Sequence, residues 1–185
     1  MTDIHVILVD EHDREIGTME KLAAHQQGRL HRAVSVYVFN SRDELLLQRR
    51  APSKYHCARL WANTCCGHPL PGEGTMGAAR RRLREEMGLT CELNAMFEFS
   101  YRAVLPGGLI EHEYGHVYFG RSDATPAPAP DEADAYMYRS LDDIRRRFAN
   151  APESNLSAFL WVRRLKESLA ARLRESIAKQ NSKLI

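Results

Sequence analysis

The chain has 185 residues, of which 44% are hydrophobic and 27% are charged, and its formal net charge is +2. These values are typical of one globular domain with a single core, so we expect a single domain over residues 1–185. The net charge is too small to indicate a nucleic-acid or membrane-surface binder. Any attraction for an anion must therefore come from a local cluster of basic side chains.

The sequence also lacks the marks of export and of membrane insertion. No run of about 18 uninterrupted apolar residues is present, which excludes a transmembrane helix, and the first five residues, MTDIH, do not resemble the start of a secretory signal. The four cysteines, at positions 57, 65, 66 and 91, do not have the spacing of a disulfide framework. We therefore expect a cytoplasmic protein with reduced thiols, and a monomer, because no heptad seam is present.

Apolar runs predict several strands in the first half of the chain. Residues 4–9 form one predicted strand, and residues 33–39 and 44–48 form a hairpin around a polar turn. The segment that contains His25 and His31 is expected to be a loop. A helix is predicted from its N-cap, Thr75, to Met87, because Gly88 provides a stop.

The second half adds another hairpin and further helices. Residues 97–101 and 109–120 alternate around a turn at residues 106–108, and a short strand is predicted at residues 135–138. Ser140 is expected to cap a helix that runs to Phe148, and the segment from Asn155 onward has one apolar helical face. This order of elements indicates an α+β sandwich rather than a doubly wound sheet.

The central helix lies within a pattern of fixed spacing. After Gly67 come five residues, a glutamate, seven residues, and then Arg81-Arg82-Leu83-Arg84-Glu85-Glu86-Met87-Gly88-Leu89. This pattern resembles the Nudix box, G-x5-E-x7-R-E-U-x-E-E-x-G-U, at every fixed position except one. The resemblance implies a Nudix-like α/β/α sandwich with a mixed sheet, a loop–helix–loop box and C-terminal helices. Where hydrolases of that superfamily carry a glutamate, this chain has Arg82, which should weaken metal binding there and strengthen diphosphate binding.

A second and more specific signature lies at residues 60–69, LWANTCCGHP. The pattern Trp-x-Asn-x-x-Cys-Gly-His-Pro resembles the active-site cysteine motif of type 1 isopentenyl-diphosphate isomerases, a Nudix-related family. The resemblance extends through residues 20–25 (EKLAAH), 29–31 (RLH), 48–54 (QRRAPSK), 101–103 (YRA) and 111–113 (EHE). It implies the interconversion of isopentenyl and dimethylallyl diphosphate by proton transfer through a carbocation-like intermediate. The implied partner is a small prenyl diphosphate of isoprenoid biosynthesis.

The resemblance assigns the proton-transfer pair to Cys66 and Glu113, with Tyr101 assisting the carboxyl group. A thiolate tolerates an apolar prenyl chain, and its pKa of about 8.5 can be lowered by nearby positive charge. Cys65 competes with Cys66 for the role of base. Neighbours on an extended segment point to opposite faces, so only one of them can enter the pocket. The Cys-Gly-His-Pro register selects Cys66.

The family's five-ligand metal site corresponds to a set of histidines and glutamates in this chain: His25, His31, His68, Glu111 and Glu113. Residues two apart on a strand share a face, so Glu111 and Glu113 can reach one ion, whereas His112 points away and His116 is expected to be structural. Three imidazoles and two carboxylates are too many ligands for tetrahedral zinc. They favour a six-coordinate Mn²⁺ or Mg²⁺, with zinc as the alternative.

The resemblance also implies a diphosphate clamp, whose contacts are Lys21, Arg50, Lys54 and Arg82. Glu86, together with the backbone carbonyl of Cys66, is expected to hold a second Mg²⁺ that enters with the diphosphate. An aromatic ring beside the cationic intermediate is either Phe159, the aligned residue, or Trp161. Two rival functions remain open, a Nudix hydrolase of a nucleoside diphosphate derivative and a non-catalytic binding module.

Overall fold

The computed structural model describes residues 4–54, 57–105 and 107–148. Its strands are β1 (His5–Val9), β2 (Glu15–Glu20), β3 (His31–Phe39), β4 (Glu44–Arg50), β5 (Trp61–Ala62), β6 (Cys65–Gly67), β7 (Leu93–Val104), β8 (Ile110–Arg121) and β9 (Ala133–Ser140). Its helices are α1 (Lys21–Gln27), α2 (Thr75–Met87) and α3 (Leu141–Phe148). The predicted C-terminal helix from Asn155, and with it Phe159 and Trp161, lies outside the described residues. No helix within those ranges combines the length and the apolarity that crossing a membrane requires.

The sheet is mixed, as predicted. Strand β3 pairs in parallel with β8, from His31 opposite Glu113 to Phe39 opposite Arg121. The predicted hairpin of β7 and β8 is antiparallel, and β9 pairs antiparallel with β4. Strands β3 and β4 also form the predicted hairpin, but they pair only at Phe39 and Leu45 and then separate. Strand β6 pairs with β3 beyond that point, which brings the cysteine motif next to the centre of the sheet.

Successive side chains of β3 point to opposite faces of the sheet, and each face packs in its own buried cluster. Val34, Val36 and Val38 pack in one buried cluster with helix α2, to which α2 contributes Leu83 and Met87. The other face has a second cluster, formed by Tyr37, Phe39, Leu45, Leu47, Val117, Phe119 and Ile144. Ile144 belongs to α3, so helices cover both faces of the sheet. The α/β/α sandwich is therefore confirmed, and its origin is the two-residue period of a strand.

Two elements near the N-terminus were not predicted. Strand β2 and helix α1 lie between β1 and β3, so the prediction that His25 and His31 lie in a loop is wrong. His25 lies in the helix and His31 begins β3. The helix has seven residues, too few for a clear apolar period, and its cap is Glu20, whose carboxylate accepts from the backbone N–H of Leu22 and Ala23 at 2.8 and 2.7 Å.

The central helix has the predicted span but a different cap. Gly74 is the N-cap of α2, and Thr75 is its first residue, whose hydroxyl oxygen instead accepts from Tyr118 at 2.7 Å. Gly88 ends the helix as predicted, with a φ of +64° that a side chain would strain. Ser140 caps α3 as predicted, because its Oγ accepts from the N–H of Asp143 at 3.2 Å.

One buried hydroxyl bridges the gap where β3 and β4 separate. Thr64 is fully buried, and its Oγ1 accepts from the N–H of Val38 at 2.9 Å and donates to the carbonyl of Leu46 at 2.8 Å. We expect Thr64→Val to lower the free energy of unfolding by about 1–3 kcal/mol, because it leaves both backbone groups buried and unpaired. Urea denaturation measures this change. The matched control is Thr18→Val on the exposed side of β2, for which we expect less than about 0.5 kcal/mol, and an equal loss in both variants would contradict the bridge.

Candidate active site

Most of the predicted site residues in the described part of the chain line one cavity of about 280 Å³; His31 and Tyr101 are not among the lining residues. One set of lining residues consists of potential proton-transfer and metal-binding groups: His25, Cys66, His68, Glu111 and Glu113. Another set consists of the predicted diphosphate contacts and the carboxylates beside them: Lys21, Arg50, Lys54, Arg82, Glu86 and Glu132. Secondary structure brings these groups together from α1, β4, β6, α2 and β8 and from the connecting loops. We call the four basic side chains, Lys21, Arg50, Lys54 and Arg82, the cationic wall. A small molecule in this cavity therefore contacts both the proton-transfer groups and the cationic wall.

Four side chains in the described part of the chain form a group that can hold a metal ion. Nitrogens of His25, His31 and His68 and a carboxylate oxygen of Glu113 all lie within 4.8 Å of one another. His31 is fully buried and the side chain of Glu113 is 9% exposed, so these polar groups have little access to bulk water. Buried imidazoles beside a buried carboxylate are characteristic of a coordination site.

Backbone contacts orient two of the imidazoles towards this group. Nδ1 of His25 donates to the carbonyl of Lys21 at 2.7 Å, and Nδ1 of His31 donates to the carbonyl of Arg29 at 2.8 Å. A carbonyl can only accept, so Nδ1 carries the proton and Nε2 presents its lone pair to the group. Burial also lowers the pKa of His25 and brings that of His68 to about 3, which keeps both rings in the neutral form that ligates metals. The donor set therefore fits a divalent cation.

Glu113 joins this group to a tyrosine. Its Oε1 lies 3.1 Å from Nε2 of His68, and its Oε2 accepts from the hydroxyl of Tyr101 at 2.8 Å. Burial opposes the charged carboxylate, but the neighbouring imidazoles of His31 and His68 outweigh it and hold the pKa of Glu113 well below its usual range. Burial and the neighbouring carboxylates keep the pKa of Tyr101 well above its usual range. Tyr101 therefore keeps its proton and donates a hydrogen bond to the carboxylate of Glu113.

Glu111 takes a different position from Glu113. It lines the same cavity, and its Oε2 accepts from the hydroxyl of Tyr101 at 3.2 Å, but it is not part of the four-residue group. The two glutamates therefore share a face of β8, as their spacing predicts, and meet at Tyr101. The ligand role of Glu111 stays a prediction.

The two adjacent cysteines point in opposite directions, as the strand geometry predicts. Cys65 is fully buried in the cluster under α2, whereas Cys66 lines the cavity. The thiol of Cys66 donates to Oδ1 of Asn63 at 3.1 Å and lies 3.5 Å from Oγ of Ser35. Burial raises the pKa of Cys66 to about 12, and the lowering that nearby positive charge can produce does not outweigh it. The resting group is the thiol.

Asn63 and Ser35 were not singled out as neighbours of the thiol. The amide nitrogen of Asn63 donates to the carbonyls of Val36 and Cys65 at 3.0 and 2.9 Å, which fixes its oxygen towards Cys66. Asn63 is the asparagine of the Trp-x-Asn-x-x-Cys pattern, so the motif contained a signal for it. Ser35 comes from the facing strand and has no signal in the sequence near the motif.

Residues of the Nudix-like box contact the segment from Cys66 to His68 and hold it in position. Arg81 pairs with both carboxylate oxygens of Glu73, at 2.7 and 2.9 Å, and donates to the carbonyl of His68 at 3.1 Å. A Cβ on Gly67 would lie 2.7 Å from Cγ of Arg82, so only glycine lets the arginine cross this segment. The fixed glycine, glutamate and first arginine of the box therefore act together to position His68.

The cationic wall contains the four predicted side chains. Burial lowers the pKa of Lys21, and the positive charges of Arg82, Lys54 and Arg50 lower it further, so these three cations lie close enough to act on Lys21. Like charges held this close create a strong local attraction for an anion. The local cluster that the small net charge requires is thus present.

The sequence analysis assigned no role to two polar residues beside these cations. Glu132 pairs with Arg82 at 3.1 Å and with the ammonium group of Lys54, and no motif drew attention to it. Gln48 is 1% exposed and donates from Nε2 to Glu86 at 2.7 Å, while its Oε1 has no partner among the described residues. Burial raises the pKa of Glu86 above its usual value, although Arg82 and Gln48 favour the charged form.

His112 and His116, which were not predicted to bind the metal, lie outside the group of four. Nδ1 of His112 donates to the carbonyl of Gly28 at 3.0 Å. His116 lies between two carboxylates, 3.0 Å from Asp13 and 3.1 Å from Glu98. Both contacts join separate parts of the fold, which agrees with a structural role.

Similarity to solved structures and to a domain family agrees with this fold. A crystal structure of DR0079 from Deinococcus radiodurans superimposes with a TM-score of 0.72 at 25% identity, covering 88% of this chain and 99% of that one. The MutT protein from Methanosarcina mazei superimposes with a TM-score of 0.57 at 20% identity, covering 75% of this chain and 96% of that one, and supports the fold alone. The family model of the NUDIX domain matches residues 29–161.

Sequence relatives narrow the family further. The chain is 58% identical over 148 residues to an isopentenyl-diphosphate Delta-isomerase from Pectobacterium atrosepticum, with 80% of this chain and 83% of the relative covered. It is 56% identical over 149 residues to isopentenyl-diphosphate Delta-isomerase 1 from Aromatoleum aromaticum, with 80% and 84% covered. The chain therefore belongs to the Nudix superfamily and, within it, to the isopentenyl-diphosphate Delta-isomerase family.

Proposed function

We propose that the chain interconverts isopentenyl diphosphate and dimethylallyl diphosphate, with Glu113 and Cys66 as the proton-transfer pair. The observation that carries the proposal is that a thiol and a carboxylate line one cavity that four basic side chains also line. The named activity of the relatives agrees with it. The reaction moves a double bond by adding a proton at one carbon and removing one from another, which requires two such groups and an anchor for the diphosphate.

In the direction of dimethylallyl diphosphate, Glu113 protonates the terminal carbon of the alkene and Cys66 removes a proton from C2. The electron pair of that C–H bond closes the new double bond and neutralises the tertiary cation. Tyr101, which donates to Oε2 of Glu113, assists the carboxyl group. In the opposite direction the thiol protonates C2 and the carboxylate removes a proton from a methyl group. The two directions therefore start from states that differ in the position of one proton, which Glu113 carries in the first direction and Cys66 in the second.

The group of four, with Glu111 as a further ligand, is proposed to hold one Mn²⁺ or Mg²⁺, with zinc as the alternative. When bound, such a cation supplies positive charge that stabilises the ionised form of Glu113 between proton transfers. The chain's own part is to hold His25 and His31 by their backbone contacts and to keep water away from the carboxylate.

The diphosphate is proposed to bind Lys21, Arg50, Lys54 and Arg82. Arginine offers paired N–H groups to phosphate oxygens, and lysine offers a point charge. Glu86 and the carbonyl of Cys66 are proposed to hold a Mg²⁺ that accompanies the diphosphate. The small-molecule substrate is thus fixed at its charged end, and its apolar end reaches the thiol.

Three further parts of the proposal rest on the sequence. We propose that the chain is one domain over residues 1–185, that it acts as a monomer and that it acts in the cytoplasm.

Whether Phe159 or Trp161 faces the cationic intermediate is decided by comparing turnover in Phe159→Leu and Trp161→Leu. Phe159 is the proposed residue.

Hydrolysis of a nucleoside diphosphate derivative is not favoured. Arg82 stands where the hydrolases carry a glutamate, and in this site it pairs with Glu85, Glu86 and Glu132. The named activity of the relatives is also that of an isomerase.

Incubation with isopentenyl diphosphate and a divalent metal in D₂O tests the proposed reaction. Because the added proton comes from a group that exchanges with solvent, we expect dimethylallyl diphosphate that carries deuterium, without release of phosphate. Mass spectrometry and NMR of the product measure this. Release of phosphate or pyrophosphate without an allylic product would indicate a hydrolase, and no conversion of a substrate that still binds would indicate a binding module.

A further inference from the structure

A carboxylate already occupies part of the cationic wall. One oxygen of Glu132 pairs with the ammonium group of Lys54, and the other lies 3.1 Å from Nη2 of Arg82. Lys54 comes from the loop after β4 and Arg82 from α2, so this single side chain joins two cations from separate parts of the fold. Two of the four proposed diphosphate contacts are therefore paired with an internal anion.

The position of Glu132 is fixed by its backbone. Its carbonyl accepts from the N–H of Ala51 at 2.9 Å, and its own N–H donates to the carbonyl of Ala129 at 2.9 Å. Its side chain is 19% exposed and lines the cavity. Burial opposes the charged form, but Lys54 and Arg82 outweigh it and lower the pKa of Glu132, so the carboxylate is ionised near neutral pH.

Carboxylate and phosphate oxygens compete for the same donors. Both accept charge-assisted hydrogen bonds from ammonium and guanidinium groups, and arginine pairs with either in the same forked geometry. A diphosphate that reaches Lys54 and Arg82 therefore meets a like charge already bound to them. At the short distances within this cavity, that repulsion opposes the attraction of the wall.

On the basis of the proposed function, we propose that Glu132 is a built-in competitor of the diphosphate group. It holds Lys54 and Arg82 in place before the substrate arrives and gives up these donors to phosphate oxygens when the substrate binds. The site therefore has a lower affinity for anions than its four cations would otherwise provide. Product, which carries the same diphosphate, is released more readily as a result.

Binding of inorganic pyrophosphate to Glu132→Gln tests this competition. Glutamine keeps the shape but removes the charge, so we expect the Kd of pyrophosphate to fall by roughly 3- to 10-fold, with and without Mg²⁺. Isothermal titration calorimetry on the full chain measures this, and KM for isopentenyl diphosphate should fall as well, with kcat unchanged or lower. A side chain that only supports the fold would instead raise Kd and lower the melting temperature.

The matched control is Asp134→Asn. Asp134 lies two residues further on and pairs with Arg49 at 2.6 Å on the exposed surface. Asp134 belongs to β9, and its substitution removes one carboxylate–arginine pair without touching the cavity, so Kd for pyrophosphate should equal that of the unsubstituted chain. If Glu132→Gln lowers the melting temperature, Glu132→Asp serves instead. Its shorter carboxylate loses its reach to the two cations, and it is also expected to tighten binding.

Two outcomes would overturn the proposal. An unchanged or higher Kd in Glu132→Gln, with and without Mg²⁺, would mean that the carboxylate does not compete. A higher Kd only in the presence of Mg²⁺ would mean that Glu132 is a metal ligand. Either result leaves the deuterium assay of the reaction unaffected. Conversely, Glu132→Gln could tighten pyrophosphate binding while the unsubstituted chain forms no deuterated dimethylallyl diphosphate. That result would support the competition by Glu132 and contradict the proposed reaction.

Discussion

Cys66→Ala is expected to lower the turnover of isopentenyl diphosphate by about 10²–10⁴-fold, the usual contribution of a positioned acid–base group. The methyl group of alanine cannot exchange a proton, while Asn63 and Ser35 keep their own backbone and strand positions. The rate of dimethylallyl diphosphate formation at saturating substrate measures this loss. The melting temperature should stay close to that of the unsubstituted chain, because only one partly buried sulfur atom is removed.

The adjacent cysteine provides the control. Cys65 is fully buried under α2, so Cys65→Ala is expected to cost about 1 kcal/mol of unfolding free energy and to keep most of the turnover. The two variants thus separate a loss of chemistry from a loss of packing. Equal loss of turnover in both variants would remove the assignment of Cys66.

Glu113→Gln is expected to abolish turnover to a similar or greater extent, because this side chain is proposed to serve as acid and as metal ligand. Glutamine keeps an oxygen for the hydroxyl of Tyr101 but has no carboxyl proton to transfer. It also removes the charge that pairs with His31 and His68. We therefore expect loss of turnover together with a lower metal content, measured by elemental analysis after dialysis.

Glu98→Gln is the matched control for this change. Glu98 also pairs with a histidine, His116, at 3.1 Å, but its side chain is 52% exposed and lies outside the group of four. Turnover and metal content should both be retained. A variant Glu113→Gln that loses turnover but keeps its full metal content would assign Glu113 as an acid that is not a ligand.

The parts of the fold that could be predicted were those with a strong local pattern. The span of α2 followed from Gly88, which needs a left-handed backbone, and the opposite faces of Cys65 and Cys66 followed from the period of a strand. The mixed sheet and the group of candidate site residues came from motifs with fixed spacing. These signals are local, so one sequence is enough to contain them.

The features that were missed depend on tertiary contacts. Helix α1 is capped by the carboxylate of Glu20, a side chain with weak capping preference, and its short length leaves no apolar period. Glu132 has no motif, because its importance arises only when α2 and the loop after β4 bring two cations to it. The direction of the pKa shift of Cys66 is also a tertiary property, because the depth of burial, which the sequence does not give, raises it.

The four members of the buried histidine–glutamate group have a thermodynamic consequence for the fold. They come from α1, β3, the segment after β6 and β8, at positions 25, 31, 68 and 113, so their ligand atoms meet only in the native state. A cation that binds there binds the native chain and not the unfolded one, and each tenfold rise in free metal above its Kd adds about 1.4 kcal/mol to the free energy of unfolding. On the proposed metal site, we therefore expect free metal to raise the melting temperature of this chain.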